Sequence, residues 1–151
     1  MQDFVHLHVH SQYSLLDGQA SIPRLVDKAI ADGMRGIAIT DHGNMFAIKE
    51  FWNYVKKKNS ARRDSVKQTA AAIAALQEIV DKGEATEEQK NELAKLKAEL
   101  DSLPKEDFKG IIGCEVYVAR RGLTFKDGKQ DQSGCHLILL AKNEKGYKNL
   151  I

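Results

Sequence analysis

Residues 4–9 read Phe-Val-His-Leu-His-Val, with Phe4, His6, His8 and His10 on one parity and Val5, Leu7 and Val9 on the other. Such alternation predicts a strand with one apolar and one imidazole face. Ser21 stands where an N-cap would, Pro23 suits a first helical turn, and Ile22, Leu25, Val26, Ala29 and Ile30 follow at helical spacing up to Gly33. These predict a helix that the glycine stops. Residues 36–40 are a short apolar run between turn signals, the pattern of a strand buried on both faces. The pattern predicts a second helix over 45–57, with Phe51, Trp52 and Val55 on its apolar side, a third strand over 111–118 and a fourth over 137–141. Strands alternating with helices imply βαβ units and a parallel sheet, open or barrel-shaped.

The stretch 59–107 has another character. No aromatic residue lies between Tyr54 and Phe108. Val66, Ala70, Ile73, Leu76 and Val80 form one helical stripe, Gly83 interrupts it, Thr86 and Gln89 have capping-box spacing, and Leu93, Leu96, Leu100 and Leu103 form a second stripe. We read an inserted α-helical hairpin over 59–107. It carries eight basic and eleven acidic residues, net −3, which leaves +5 for the rest. The sequence shows no internal repeat. A sheet of four strands without a closing helix leads us to expect the N-terminal portion of a longer chain.

Composition narrows the class. At 151 residues and 42% hydrophobic content, one domain can bury a core. The net charge of +2 neither demands nor excludes a nucleic-acid partner. The longest apolar run, 70–76, has seven residues against the roughly 20 of a membrane span, so no membrane partner is expected. The N-terminus lacks the basic-then-apolar pattern of a secretory signal, and Cys114 and Cys135 are too few for a disulfide framework. The expected setting is cytoplasmic, with reduced thiols.

Several residues carry candidate chemistry. Strand residues two apart point the same way, so His6, His8 and His10 would present converging imidazoles, good ligands for Zn, Mn or Fe. The rival reading is a solvated polar face. Asp41 and His42, in Thr40-Asp41-His42-Gly43-Asn44, sit where a strand ends and sites form in parallel α/β folds, although Asp, Gly and Asn also favour turns. Glu115 lies inside an apolar strand, where a carboxylate is expensive unless it ligates a metal or pairs with a basic residue. Cys114 beside it faces the other way, into the core. His136 opens a strand rather than closing one, which makes it the weakest candidate ligand. Asp17 alone reads as a turn aspartate. Lys56-Lys57-Lys58 with Arg62-Arg63 reads as a solvated helix end rather than a phosphate site. A glycine-rich phosphate loop, a nucleophile elbow and a Cys-x-x-Cys motif are all absent.

His8-Val9-His10-Ser11 with Thr40-Asp41-His42-Gly43 resembles the first two motifs of the PHP (polymerase and histidinol phosphatase) superfamily. Phe4 to Ser11, Tyr13 to Gly18, Ile39 to Phe46, Gly113 to Tyr117, His136-Leu137 and Gly146 to Leu150 resemble the N-terminal domain found in bacterial replicative DNA polymerase III alpha subunits. The resemblance covers 1–58 and 108–151 and leaves out the hairpin. It implies an α/β fold, a distorted (β/α)7 PHP barrel of which about four parallel strands are present, with up to three divalent ions (Zn, Mn or Fe) at the strand ends. The ligands it implies fall on His8, His10, Asp17, His42, Glu115 and His136, six of nine, the others being a later Cys or His and an Asp-x-His pair beyond Ile151. It implies Glu115, His42 and Asp41 as catalytic residues, with Asp41 orienting His42 and His6 a neighbour rather than a ligand. The Mg of the parent polymerase site would lie outside this sequence.

The resemblance implies a DNA-directed DNA polymerase as the parent chain and, for this domain, a metal-dependent phosphoesterase acting as a 3′–5′ exonuclease. Implied partners are DNA, the remainder of the alpha chain and the proofreading exonuclease subunit. Two rivals stay open: a metal-binding scaffold for the polymerase core and proofreading subunit, and a stand-alone PHP phosphatase, against which the stretches 13–18 and 146–150 argue.

Overall fold

The computed structural model of the chain describes residues 4–131 and 134–151. It contains helices α1 (Ile22–Ala31), α2 (Ile48–Asp81), α3 (Glu87–Ser102) and α4 (Glu144–Leu150), and strands β1 (Gly36–Ile39), β2 (Lys109–Val118) and β3 (Cys135–Leu140). The chain divides into two compact units, Met1–Val55 with Phe108–Ile151, and Lys56–Asp107.

In the first unit the strands lie in the order β1-β2-β3. β1 and β2 are parallel, with Gly36 opposite Lys109 and Ile39 opposite Ile112. All four β1 residues are buried, as a central apolar run requires. β3 runs antiparallel to β2, with Gly113 opposite Leu140 and Tyr117 opposite His136. This corrects the expected all-parallel sheet. Among the described residues the β2–β3 connection contains no helix, and a parallel pair needs a crossover. The core consists of Ile22, Val26 and Ala29 from α1, Ile37 and Ile39 from β1, and Ala47, Ile48, Phe51 and Val55 in and just before α2. Ser21 caps α1 by backbone conformation alone, without the side-chain hydrogen bond its type suggested.

The expected strand over 4–9 is the second correction. His6 forms one isolated parallel bridge to Ile37. The Ala38 N–H donates to His6 O and the Thr40 N–H to Val9 O, both at 2.9 Å. Three residue steps on this segment therefore match two on β1. One extra residue lies between His6 and Val9, as in a β-bulge, and it reverses which face each later side chain meets.

In the second unit the helix expected to end at residue 57 continues instead to Asp81. Residues 48–81 contain neither Gly nor Pro, so nothing in them interrupts the ladder. Gly83, at φ 74°, ends that run. α3 then starts at a capping box: Gln89 N–H donates to Thr86 Oγ1 (3.3 Å) and Thr86 N–H to Gln89 Oε1 (2.9 Å). Arg62 donates to Pro104 O and Asp107 Oδ1, both at 2.7 Å, and Arg63 to the other Asp107 oxygen. Arg62 and Arg63 thus close the hairpin rather than forming a free basic patch.

Candidate metal centre

The chain following β1 holds the site's framework. Asp41, almost fully buried, accepts from the Ser11 N–H (2.6 Å) and the Ser14 hydroxyl (2.8 Å) on Oδ1, and from the Ser11 hydroxyl (2.7 Å) on Oδ2. Two buried serines thereby anchor the turn 11–17 to the end of β1. Asp41 has no direct contact with the His42 ring. Its link to His42 runs through Ser14, whose oxygen accepts the backbone His42 N–H at 3.2 Å, so the structure shows no direct orienting contact of the kind expected.

The same hydroxyl orders His10. Ser14 gives its proton to Asp41, so the oxygen is left to accept from His10 Nδ1 at 3.0 Å. That assignment, made from the network, leaves the neutral ring's lone pair on Nε2. Thr40 Oγ1 likewise accepts the Val9 N–H (3.0 Å), faces His8 Nδ1 (2.8 Å) and donates to Val9 O (3.3 Å). This turns His8 Nε2 outward as an acceptor too. His8 Nε2 and His10 Nε2 stand 3.1 and 3.3 Å from the same atom, Glu115 Oε2. On this assignment three lone-pair-bearing atoms converge there, an arrangement that a bound cation, or a proton on each ring, would stabilise.

The other carboxylate oxygen repeats the pattern. Glu115 Oε1 lies 2.7 Å from His136 Nδ1 and 2.9 Å from His42 Nδ1. His42 Nε2 is 3.0 Å from Asp17 Oδ2. The Asp17 hydrogen bond raises the His42 pKa, against burial and with help from the Glu115 charge, while His42 lowers that of Asp17. Glu115 is 1% exposed and is held in register by backbone bonds from Glu115 N–H to Asp41 O (3.1 Å) and from Gly43 N–H to Glu115 O (2.8 Å). The His10 and His42 rings stack at 4.0 Å.

The structure thus gathers His8, His10, His42 and His136 around the Glu115 carboxylate, with Asp17 beside His42. It excludes His6, which faces Phe4 at 4.8 Å and lines a groove with Arg24 and Lys28. The bulge is the cause. Cys114 is buried, with its thiol against Asp41 O at 3.6 Å and its pKa pushed up by burial. Cys135 is exposed. Sequence reasoning missed Ser11, Ser14 and Tyr117. The serines look like turn residues until Asp41 is seen between them. Tyr117, whose hydroxyl is 3.2 Å from His42 Nδ1, sits two residues after Glu115 and so on its face, a signal the strand period carries.

Two groups of side chains could each hold a cation: His8, His10 and Glu115, and His10, Asp17 and His42. Two ligands about 2.1 Å from a tetrahedral ion stand about 3.4 Å apart, close to the separations at Glu115 Oε2. The donor set, imidazole nitrogen with carboxylate oxygen, suits Zn, Mn or Fe.

A buried carboxylate with imidazoles on both oxygens, at the end of a βαβ sheet, defines a class, and comparison with known proteins agrees. The chain belongs to the PHP domain family, whose model matches residues 6–151. PHP domains are metal-dependent, and this chain keeps a set of residues able to bind metal. The chain is similar to the DNA polymerase III subunit alpha of Borreliella burgdorferi (36% identity over 98% of this chain), of Treponema pallidum (37% over 98%) and of Aquifex aeolicus (31% over 99%). It spans 9% of the length of each of these relatives.

Proposed function

We propose that this chain is the N-terminal PHP region of a bacterial replicative DNA polymerase III alpha subunit, and that its site hydrolyses phosphodiesters at a DNA 3′ end. Its fold would be the first part of a distorted PHP barrel, with 59–107 an inserted hairpin. The observation that carries the reading is the division of Glu115, one oxygen facing His8 and His10 and the other His42 and His136. Residues so arranged would hold divalent cations on either side of Glu115. Zn, Mn or Fe ions held there would lower the pKa of a bound water, align it with phosphorus and neutralise the leaving oxygen.

The chain's own residues do the rest. Ser14 and Thr40 fix the imidazole tautomers, Asp41 fixes Ser14, and burial of Glu115 keeps its charge from being screened. Asp17, exposed at the turn, closes the His42 side. Polymerisation, with its own Mg, belongs to chain outside these residues, and the remaining partners would be that chain, DNA and the proofreading subunit. No helix among the described residues is long and apolar enough to cross a membrane.

The test uses the full-length protein with His8→Ala or Glu115→Ala. We expect loss of metal-dependent release of 3′ nucleotides, while unchanged release would sink the assignment. One observation favours a scaffold as the second reading: Leu137 and Leu139, two residues apart on one face of β3, are both exposed, an apolar pair suited to being covered by protein. A metal that raises the melting temperature of a chain with no nuclease activity would select it.

A further inference from the structure

The cation cluster does not use the connection between β2 and β3. This loop is rooted on the site: Tyr117 and His136 are register partners, and the chain leaves β2 one residue after Tyr117 and returns one residue before His136. Gly134 makes the return possible, because a Cβ there would lie 2.9 Å from Val118 O and 3.2 Å from the Tyr117 Cβ. Residues 119–130 are all exposed. The loop is braced from within: Arg121 pairs with Asp131 through two nitrogens and lies over the Phe125 ring at 5.0 Å, and the Asp127 N–H donates to Asp131 Oδ2 at 2.8 Å. Arg121 is thus spent on the brace. Arg120, Lys126 and Lys129 make no ion pair among the described residues. Leu123 is 90% exposed, Phe125 52% and Tyr117 53%. The Tyr117 ring stands edge-on to His136 at 4.8 Å, at the mouth of the cluster.

A braced loop carrying unpaired cations, with exposed aromatic rings along it and at its root, combines the two features that hold a single nucleic-acid strand: charges that follow the backbone and ring faces for unstacked bases. We propose that residues 119–131 and Tyr117 form a rail for single-stranded DNA, with phosphates on Arg120, Lys126 and Lys129 and a base against Tyr117, leading the strand's end to Glu115. A duplex offers the cations its phosphates but offers Tyr117 no free base face. The choice of strand rests on the hydrolytic reading above, and the test separates the two.

In the full chain, Leu123→p-benzoylphenylalanine would be photo-crosslinked to a labelled 12-nucleotide oligothymidylate in chelator, so that capture is read without turnover. We expect saturable capture that unlabelled single strand displaces and equal duplex does not. R120E/K126E/K129E should lower capture and reduce its log–log salt slope by about 2, from three contacts at about 0.7 each on a single strand. Tyr117→Ala should lower capture about fivefold or more, and Tyr117→Phe should restore it, since the ring and not the hydroxyl stacks. The charge-matched K67E/K95E/K105E should capture as before. Absent capture, equal competition by duplex, or the same loss in the charge-matched variant would overturn the rail. A strand captured at Leu123 but never cut leaves the rail standing and removes the hydrolytic reading. A strand cut without capture at Leu123 does the reverse.

Discussion

Ser14→Ala isolates the element on which the site's order depends. The Ser14 hydroxyl donates to Asp41 Oδ1 and accepts from the His42 N–H and from His10 Nδ1. Asp41 survives the change, since the Ser11 N–H and hydroxyl still reach its two oxygens. The two donors do not, because nothing replaces the acceptor at a position only 1% exposed. Leaving a buried donor unpaired costs about 1–3 kcal/mol, and the partly exposed His10 recovers some of that from water. The expected net loss is about 2 kcal/mol, read by urea unfolding in chelator. The metal should feel more than this. His10 loses the contact that holds its proton on Nδ1 and aims Nε2 at Glu115, and losing such a supporting contact typically weakens a metal site 10–100-fold. Competition against a chromophoric chelator reads that affinity. Stability falling by about 2 kcal/mol while affinity stays within about twofold would refute the reasoning, because Ser14 would then be packing and not an aligner of ligands.

The bulge between His6 and Val9 predicts that His6→Ala leaves metal affinity unchanged while His8→Ala lowers it by about 100-fold or more, as removing a ligand exceeds removing a ligand's support; equal losses in the same titration would contradict the bulge. A Cβ at Gly18 would lie 1.8 Å from Ser11 O, so Gly18→Ala must displace the turn that holds Ser11, Ser14 and Asp17; chelator titration should show the affinity loss and urea unfolding a cost of about 3 kcal/mol or more. In the hairpin, the Arg62 hydrogen bond first, and the Arg63 charge with it, hold the Asp107 carboxyl below the usual range. A depressed carboxylate pKa gives stability that is present above the unfolded value and lost as pH falls through the folded one. Asp107→Asn should therefore destabilise near pH 7 and match the parent in acid, as followed by denaturant unfolding across pH.

The sequence disclosed the residue types of the candidate cluster more fully than their placement. Glu115 was legible because a carboxylate within an apolar strand needs a cation, and β1 because four buried apolar residues stand between turn signals. His136 looked weak because a parallel strand was assumed. In an antiparallel β3 the strand's start lies beside the end of β2, which is where the site is. His6 looked like a partner of His8 because alternation cannot reveal an inserted residue. Asp17 depends on how the turn 11–17 is tied down, and the tie is Asp41, distant in sequence and invisible to local patterns. The sequence pattern makes α2 too short because a basic run resembles a solvated helix end, while the residues around it contain no helix breaker.

The most direct measurement is anomalous diffraction from crystals of the full-length, metal-loaded protein, collected above and below the edges of Zn, Mn and Fe. The account predicts at least two ions, one held by His8, His10 and Glu115 and the other on the His42 side of Glu115, where His10 and Asp17 stand. A loaded protein whose ions lie elsewhere, with Glu115 still hydrogen-bonded directly to the imidazoles, would contradict it.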